Sequence, residues 1–193
     1  MSKAIATLNQ FLLELDALKS VSRRTYTDSG QRLENSAEHS WHLAMACWNI
    51  AEAFALELNH ERLLKLALVH DLGEIDAGDT FLYSSSRKDA HKEEREGMIR
   101  LSAHPGNAIV DLVDLWDQQE LGSSPEAKLL KAIDRLLPFL LNIHTRGKTW
   151  AESGVRKSQV VGAHAFIADE FPDLHGWMAE QIDLAVEEGW LKE

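Results

Sequence analysis

Apolar residues recur at three- and four-residue intervals along nearly the whole chain, and alternating β-branched runs closed by tight turns are missing. This pattern predicts an all-α protein. A first helix is expected over about residues 3 to 19, with Ile5, Leu8, Leu12, Leu15 and Leu18 on one stripe. The polar stretch SVSRRTYTDSGQRLEN then reads as a loop. A second helix is expected from Ser36, taken as its N-cap, with Leu43, Cys47, Ile50, Phe54 and Leu58 as the buried line. A third should cover about residues 60 to 75, followed by a loop over 76 to 87. Helices near 88 to 103 and 105 to 118 follow, the latter opened by Pro105, a residue tolerated in a first helical turn.

Ser124 as cap and Pro125 at the first position announce the helix carrying KLLKAIDRLLPFLLN, which Pro138 should kink or terminate. TRGKTWAESG reads as a loop, and helical patterns near 155 to 171 and 173 to 189 close the chain. The pattern amounts to roughly seven or eight helices in a single compact domain over residues 1–193, a helical bundle.

Composition narrows the function. A formal net charge of −11 argues against a nucleic-acid polymer or an anionic membrane as partner, since phosphate-tracking surfaces are basic. A small anionic substrate stays compatible if local cations outweigh the global field. The first twenty residues lack the apolar core and small-residue cleavage site of a signal peptide, and no apolar run approaches a membrane span. A cytoplasmic location is therefore expected. The one cysteine, Cys47, sits in an apolar periodic segment and provides no disulfide framework.

Chemistry enters where polar residues occupy apolar positions. His39 lies four residues before Leu43, on the buried stripe of its helix; His70 follows Leu63 by seven and Ala67 by three, with Glu74 one turn further on the same face. Asp134 falls between Leu130 and Leu137 on the stripe that also holds Leu141, where an ionised carboxylate is costly unless a cation or several donors meet it. His39, His70, Asp71 and Asp134 thus lie on three helices that all face one core. Two imidazoles and two carboxylates suit one divalent cation: Mn, Fe, Co, Ni or Zn, with Mg possible but less natural. Such a cation would also relieve the crowding of Asp71, Glu74, Asp76 and Asp79 in LVHDLGEIDAGDTF.

His39, the pair His70-Asp71 and the distant Asp134 resemble the H...HD...D signature of the HD-domain metal-dependent phosphohydrolases. LKSVSRRTYTDSGQRLENSAEHSW, HDLGEIDAGDTF and EAKLLKAIDRL resemble segments of the bacterial 5'-deoxynucleotidase branch, over about residues 12 to 140. NIHTRGKTWAESGV is also similar to a segment of bacterial HD hydrolases of this size. The resemblance implies a helical fold, one divalent metal on His39, His70, Asp71 and Asp134, hydrolysis of a phosphate ester, and a homodimer. Glu74 matches the family's catalytic glutamate, and Asp71 joins it in the catalytic set. Asp79 matches the carboxylate that helps hold the nucleoside sugar, Thr80 stands beside it in the substrate loop, and Arg23 matches the arginine that orients the phosphate. Some members carry Trp directly after that arginine, where this chain has Arg24, with Tyr26 three residues past Arg23.

The function implied is release of phosphate from (deoxy)ribonucleoside 5'-monophosphates. Another phosphorylated small molecule as substrate, or a non-catalytic metal-stabilised helical binding protein, are the alternatives. Glu38 either supports His39 or favours the helix N-terminus. Lys92, Arg95 and Glu96 fit a charged helix face as well as a family pattern. Asp76 receives no role, and the remaining histidines, His164 among them, are assigned to surface or core.

Overall fold

The computed structural model describes residues 2–84 and 87–193, with the side chains of 3–84 and 90–193. Residues 85 and 86 of the expected 76–87 loop therefore lie outside the described residues. In chain order the elements are α1 (Ser2–Asp16), a 3₁₀ turn (Ala17–Ser20), β1 (Ser22–Tyr26), β2 (Leu33–Asn35), α2 (Ser36–Ala53), α3 (His60–Val69) and α4 (Glu74–Ala77). Then come α5 (Arg87–Ser102), α6 (Leu112–Leu121), α7 (Pro125–His144), α8 (Lys148–Ser153), α9 (Lys157–His164), α10 (Ile167–Glu170) and α11 (Pro172–Glu187). Among the described residues, α1, α2, α3, α5, α6, α7, α9 and α11 are the helices of eight residues or more, in agreement with the all-α expectation.

Several local expectations are corrected. The segment expected as a loop after α1 holds a two-stranded sheet, β1 paired with β2, and α8 occupies the second expected loop. Residues 105 to 111 do not begin a helix: α6 starts at Leu112. The turn there presses on α1, because a Cβ on Gly106 would lie 2.1 Å from the Thr7 carbonyl oxygen. α3 ends at Val69 rather than near 75. Pro138 does not terminate α7, which runs on to His144 with Asn142 Nδ2 donating to the Pro138 carbonyl.

The chain divides into two compact units. One holds the chain up to Arg23, Asn35–Thr80, and α5 through Lys131. Its core comprises Leu43 and Cys47 of α2, Leu63, Leu66 and Ala67 of α3, Met98 and Leu101 of α5, and Leu112 and Trp116 of α6, all buried. Of the stripe expected on the first helix, Ile5, Leu8 and Leu12 are exposed and Leu18 is buried, whereas Phe11 of α1 is buried with its ring 5.3 Å from that of His104. Phe54 is also exposed, since α2 stops at Ala53.

The second unit holds Arg24–Glu34, Phe81–Ser84 and Ala132–Glu193. Phe139 of α7 centres its core, with ring centroids of Trp150, His164 and Trp177 at 5.8, 5.4 and 6.2 Å. α8 grips the turn between the strands: Lys148 Nζ donates to the Gly30 carbonyl at 2.7 Å and Thr149 Oγ1 to the Arg24 carbonyl at 3.1 Å.

Candidate metal centre and active site

α2 begins with a reciprocal cap. Asn35, not Ser36, is the N-cap: its side chain accepts from the Glu38 amide at 2.9 Å, and Glu38 Oε2 accepts from the Asn35 amide at 3.2 Å. Glu38 thus serves the helix N-terminus. Ser36 occupies the first helical position, and His39, one turn on, is fully buried. His70 and Asp71 lie in the turn that follows α3, and Glu74 opens α4. All three are buried.

His70 is fixed from two sides. Its Nδ1 donates a hydrogen bond to the Ala67 carbonyl at 2.8 Å, and the Trp116 indole donates to the His70 carbonyl at 3.1 Å. Nε2 is thereby left facing Asp71 Oδ1 at 3.1 Å. The His39 ring stands 5.4 Å from the His70 ring. Donor atoms of His39, His70 and Asp71 all lie within 4.8 Å of one another, a buried group that could hold a metal ion. A neutral imidazole nitrogen and a carboxylate oxygen both present lone pairs, so a proton or a cation must lie between them.

Cationic charge reaches this group from β1. Arg23 Nη1 donates to Asp71 Oδ2 at 3.0 Å and sits 3.4 Å from Asp79 Oδ1. Burial alone would raise the Asp71 carboxyl, but the charges of His70 and Arg23 outweigh it and hold the group at about 2. Glu74 goes the other way. Burial first, then the Asp71 and Asp79 carboxylates, push it up to about 9 against the pull of Arg23. Ser36 Oγ donates to Glu74 Oε2 at 2.5 Å.

A sequence profile described as the HD domain matches residues 15–175. The chain belongs to the HD domain family. The 5'-deoxynucleotidase HDDC2 of Danio rerio is 32% identical over 130 residues, 66% of this chain and 64% of that protein. Its Homo sapiens counterpart is 32% identical over 132 residues, covering 67% and 63%. The HD-domain chain therefore spans a little under two thirds of the length of these relatives. A crystal structure of a "predicted metal-dependent phosphohydrolase" from Magnetospirillum magnetotacticum MS-1 superposes with a TM-score of 0.86 at 32% identity, covering 98% of this chain and 96% of that one.

Within the first unit the HD-domain chain brings together His39, His70, Asp71, Glu74, Arg23 and Asp79. Thr80 follows Asp79, half-buried. Asp134 belongs to the second unit, where it is half-buried on α7 and its Oδ2 accepts from Arg135 at 2.6 Å. Arg24 lies over the Phe81 ring at 5.5 Å, and Tyr26 donates to the Glu152 carboxylate at 3.0 Å with Lys148 over its ring. Ser36 and Trp116 were missed from sequence. Ser36 stands three residues before His39 and so shares its helix face, a signal that was available; Trp116 gave none.

Proposed function

We propose that this chain is a metal-dependent phosphohydrolase that releases phosphate from (deoxy)ribonucleoside 5'-monophosphates. The observation that carries the reading is the buried meeting of His70 Nε2 with Asp71 Oδ1 at 3.1 Å, beside His39 and backed by Arg23. The names of its relatives and of the superposed structure support it. His39, His70 and Asp71, with Asp134 as the fourth ligand, would hold one divalent cation, of which Mn, Co, Fe, Ni or Zn suits the donors better than Mg. When bound, such a cation polarises a phosphoryl oxygen and lowers the pKa of coordinated water.

The chain's own residues do the rest. Arg23 braces Asp71 through Oδ2, so that Oδ1 faces the imidazoles, and it supplies positive charge for a phosphate in a protein of net charge −11. Glu74 is buried and oriented by Ser36, which fits it to move a proton to or from the attacking water or the departing 5'-oxygen. Asp79 and Thr80 follow Glu74 closely enough in sequence to meet the sugar.

A homodimer in the cytoplasm completes the reading. Exposed Ile5, Leu8 and Leu12 on α1, and Trp41, Met45 and Trp48 spaced by four and three on α2, offer apolar surface to a second copy. No helix among the described residues is long and apolar enough to cross a membrane.

The test is a phosphate-release screen over nucleoside monophosphates crossed with divalent metals, with Asp134→Ala as the blank. Turnover of at least one deoxynucleotide with Mn or Co, absent in the blank, is expected. Metal-loaded protein that releases no phosphate from any of them would leave a metal-stabilised binding protein as the better reading.

A further inference from the structure

We infer that Asp76 and Arg100 are positioning residues, holding α4 and with it Glu74 in the geometry that turnover needs. The inference rests on the reading of Glu74 given above. α4 is a single turn, Glu74–Ala77, and a helix of that length does not hold its shape unaided. Ser36 fixes the end of the Glu74 side chain, which leaves the question of what fixes the backbone that carries it.

The answer lies on α5. The Gly73 backbone rests on it, since a Cβ there would fall 2.6 Å from the Glu94 carbonyl oxygen. Six residues further along α5, Arg100 grips Asp76 with two parallel bonds, Nε to Oδ2 at 2.6 Å and Nη2 to Oδ1 at 2.8 Å. Its remaining nitrogen, Nη1, donates to Glu14 Oε2 of α1 at 2.8 Å, so the fork is itself held in place. A half-exposed ion pair of this kind contributes little to global stability. What it fixes is distance and rotation, because a guanidinium meeting both oxygens of one carboxylate leaves neither free to vary.

The molecule contains its own control. Arg95 of α5 makes the same two-pronged contact, both bonds at 2.8 Å, but with Asp117 of α6 rather than with a residue of α4. Asp76→Asn, which turns one acceptor toward Arg100 into a donor, is expected to lower kcat roughly tenfold with KM moved less than about twofold. Bound metal should be unchanged. Arg100→Lys, which keeps the charge and loses the fork, should reproduce the loss, and Asp117→Asn should leave kcat alone.

Hydrogen exchange provides a second readout. The Ala77 and Gly78 amides, bonded to the Gly73 and Glu74 carbonyls at 3.3 and 2.8 Å, should exchange about tenfold faster in Asp76→Asn and at the wild-type rate in Asp117→Asn. Wild-type kcat in Asp76→Asn, or equal losses in the two Asn variants, would overturn the inference. If the wild type turns over no phosphate ester, the nucleotidase reading falls by itself. The exchange comparison then still decides whether Asp76 and Arg100 hold α4, equal rates in the two variants counting against it.

Discussion

His70 and His164 are both buried, and both tie Nδ1 to a carbonyl on the preceding turn: Ala67 at 2.8 Å in the first unit, Val160 at 2.6 Å in the second. Their local backbone chemistry is therefore the same. They differ in what surrounds the rest of the ring. His70 Nε2 meets the Asp71 carboxylate at 3.1 Å, while the His164 ring packs edge-on against Phe139. In one place the ring stands beside an anion; in the other it packs among aromatic rings with its pKa lowered by burial. A helix carbonyl that fixes the tautomer is thus no mark of function. The partner of the second nitrogen is.

Replacing each histidine tests the contrast most directly. His70→Gln should abolish stoichiometric binding of Mn or Co, measured by elemental analysis, and lower turnover on the order of a thousandfold or more. His164→Phe should leave metal content intact and kcat within about twofold. Comparable losses from the two would erase the distinction drawn between them.

A smaller effect concerns stability against pH in the metal-free protein. Glu74 has a folded-state pKa of about 9 against an ordinary value of 4.5, so the folded state holds its proton more tightly than the unfolded chain. Its contribution is complete below 4.5 and is lost as pH rises toward 9. Urea midpoints should fall across that window, and Glu74→Gln should flatten the decline.

The smallest effect runs in the opposite direction in the second unit. Burial lowers the pKa of His164 below 6.5, so the unfolded chain takes up the proton first. Stability attributable to this group is present above 6.5 and is lost on acidification. His164→Phe should therefore lose less than the wild type in urea midpoint between pH 7.5 and 5.5.

Much of this was legible in the sequence, and the reasons differ by region. Periodicity located α2, α3, α5 and α7 because their apolar residues pack into cores. It misplaced the buried side of α1, since an apolar stripe shows which face is greasy and not whether anything covers it. The hairpin escaped notice because its strands, SRRTY and LEN, lack the apolar alternation of a half-buried sheet and are stabilised instead by contacts such as those from α8. The same reasoning explains why Pro105 misled. A proline permitted in a first turn does not start a helix where the next residue must press against another backbone.

In the candidate site, His39, His70 and Glu74 were visible because they fall in register with apolar stripes, and Asp71 because it stands beside His70 in the HD pair. The link between Asp76 and Arg100 was not, because both lie on wet helix faces where charged residues are ordinary. Nothing in their spacing of twenty-four residues sets them apart from other pairs.

Cys47 lies two turns along α2 from His39, fully buried, and is the only thiol in the chain. A thiol-reactive dye can reach it only when that helix comes away from its neighbours, so its labelling runs at the pace of that opening. The protein thereby carries a one-atom stopwatch on the helix that bears His39. Timing it with and without added Mn or Co would show how firmly an ion fastens α2 in place, with no substrate present.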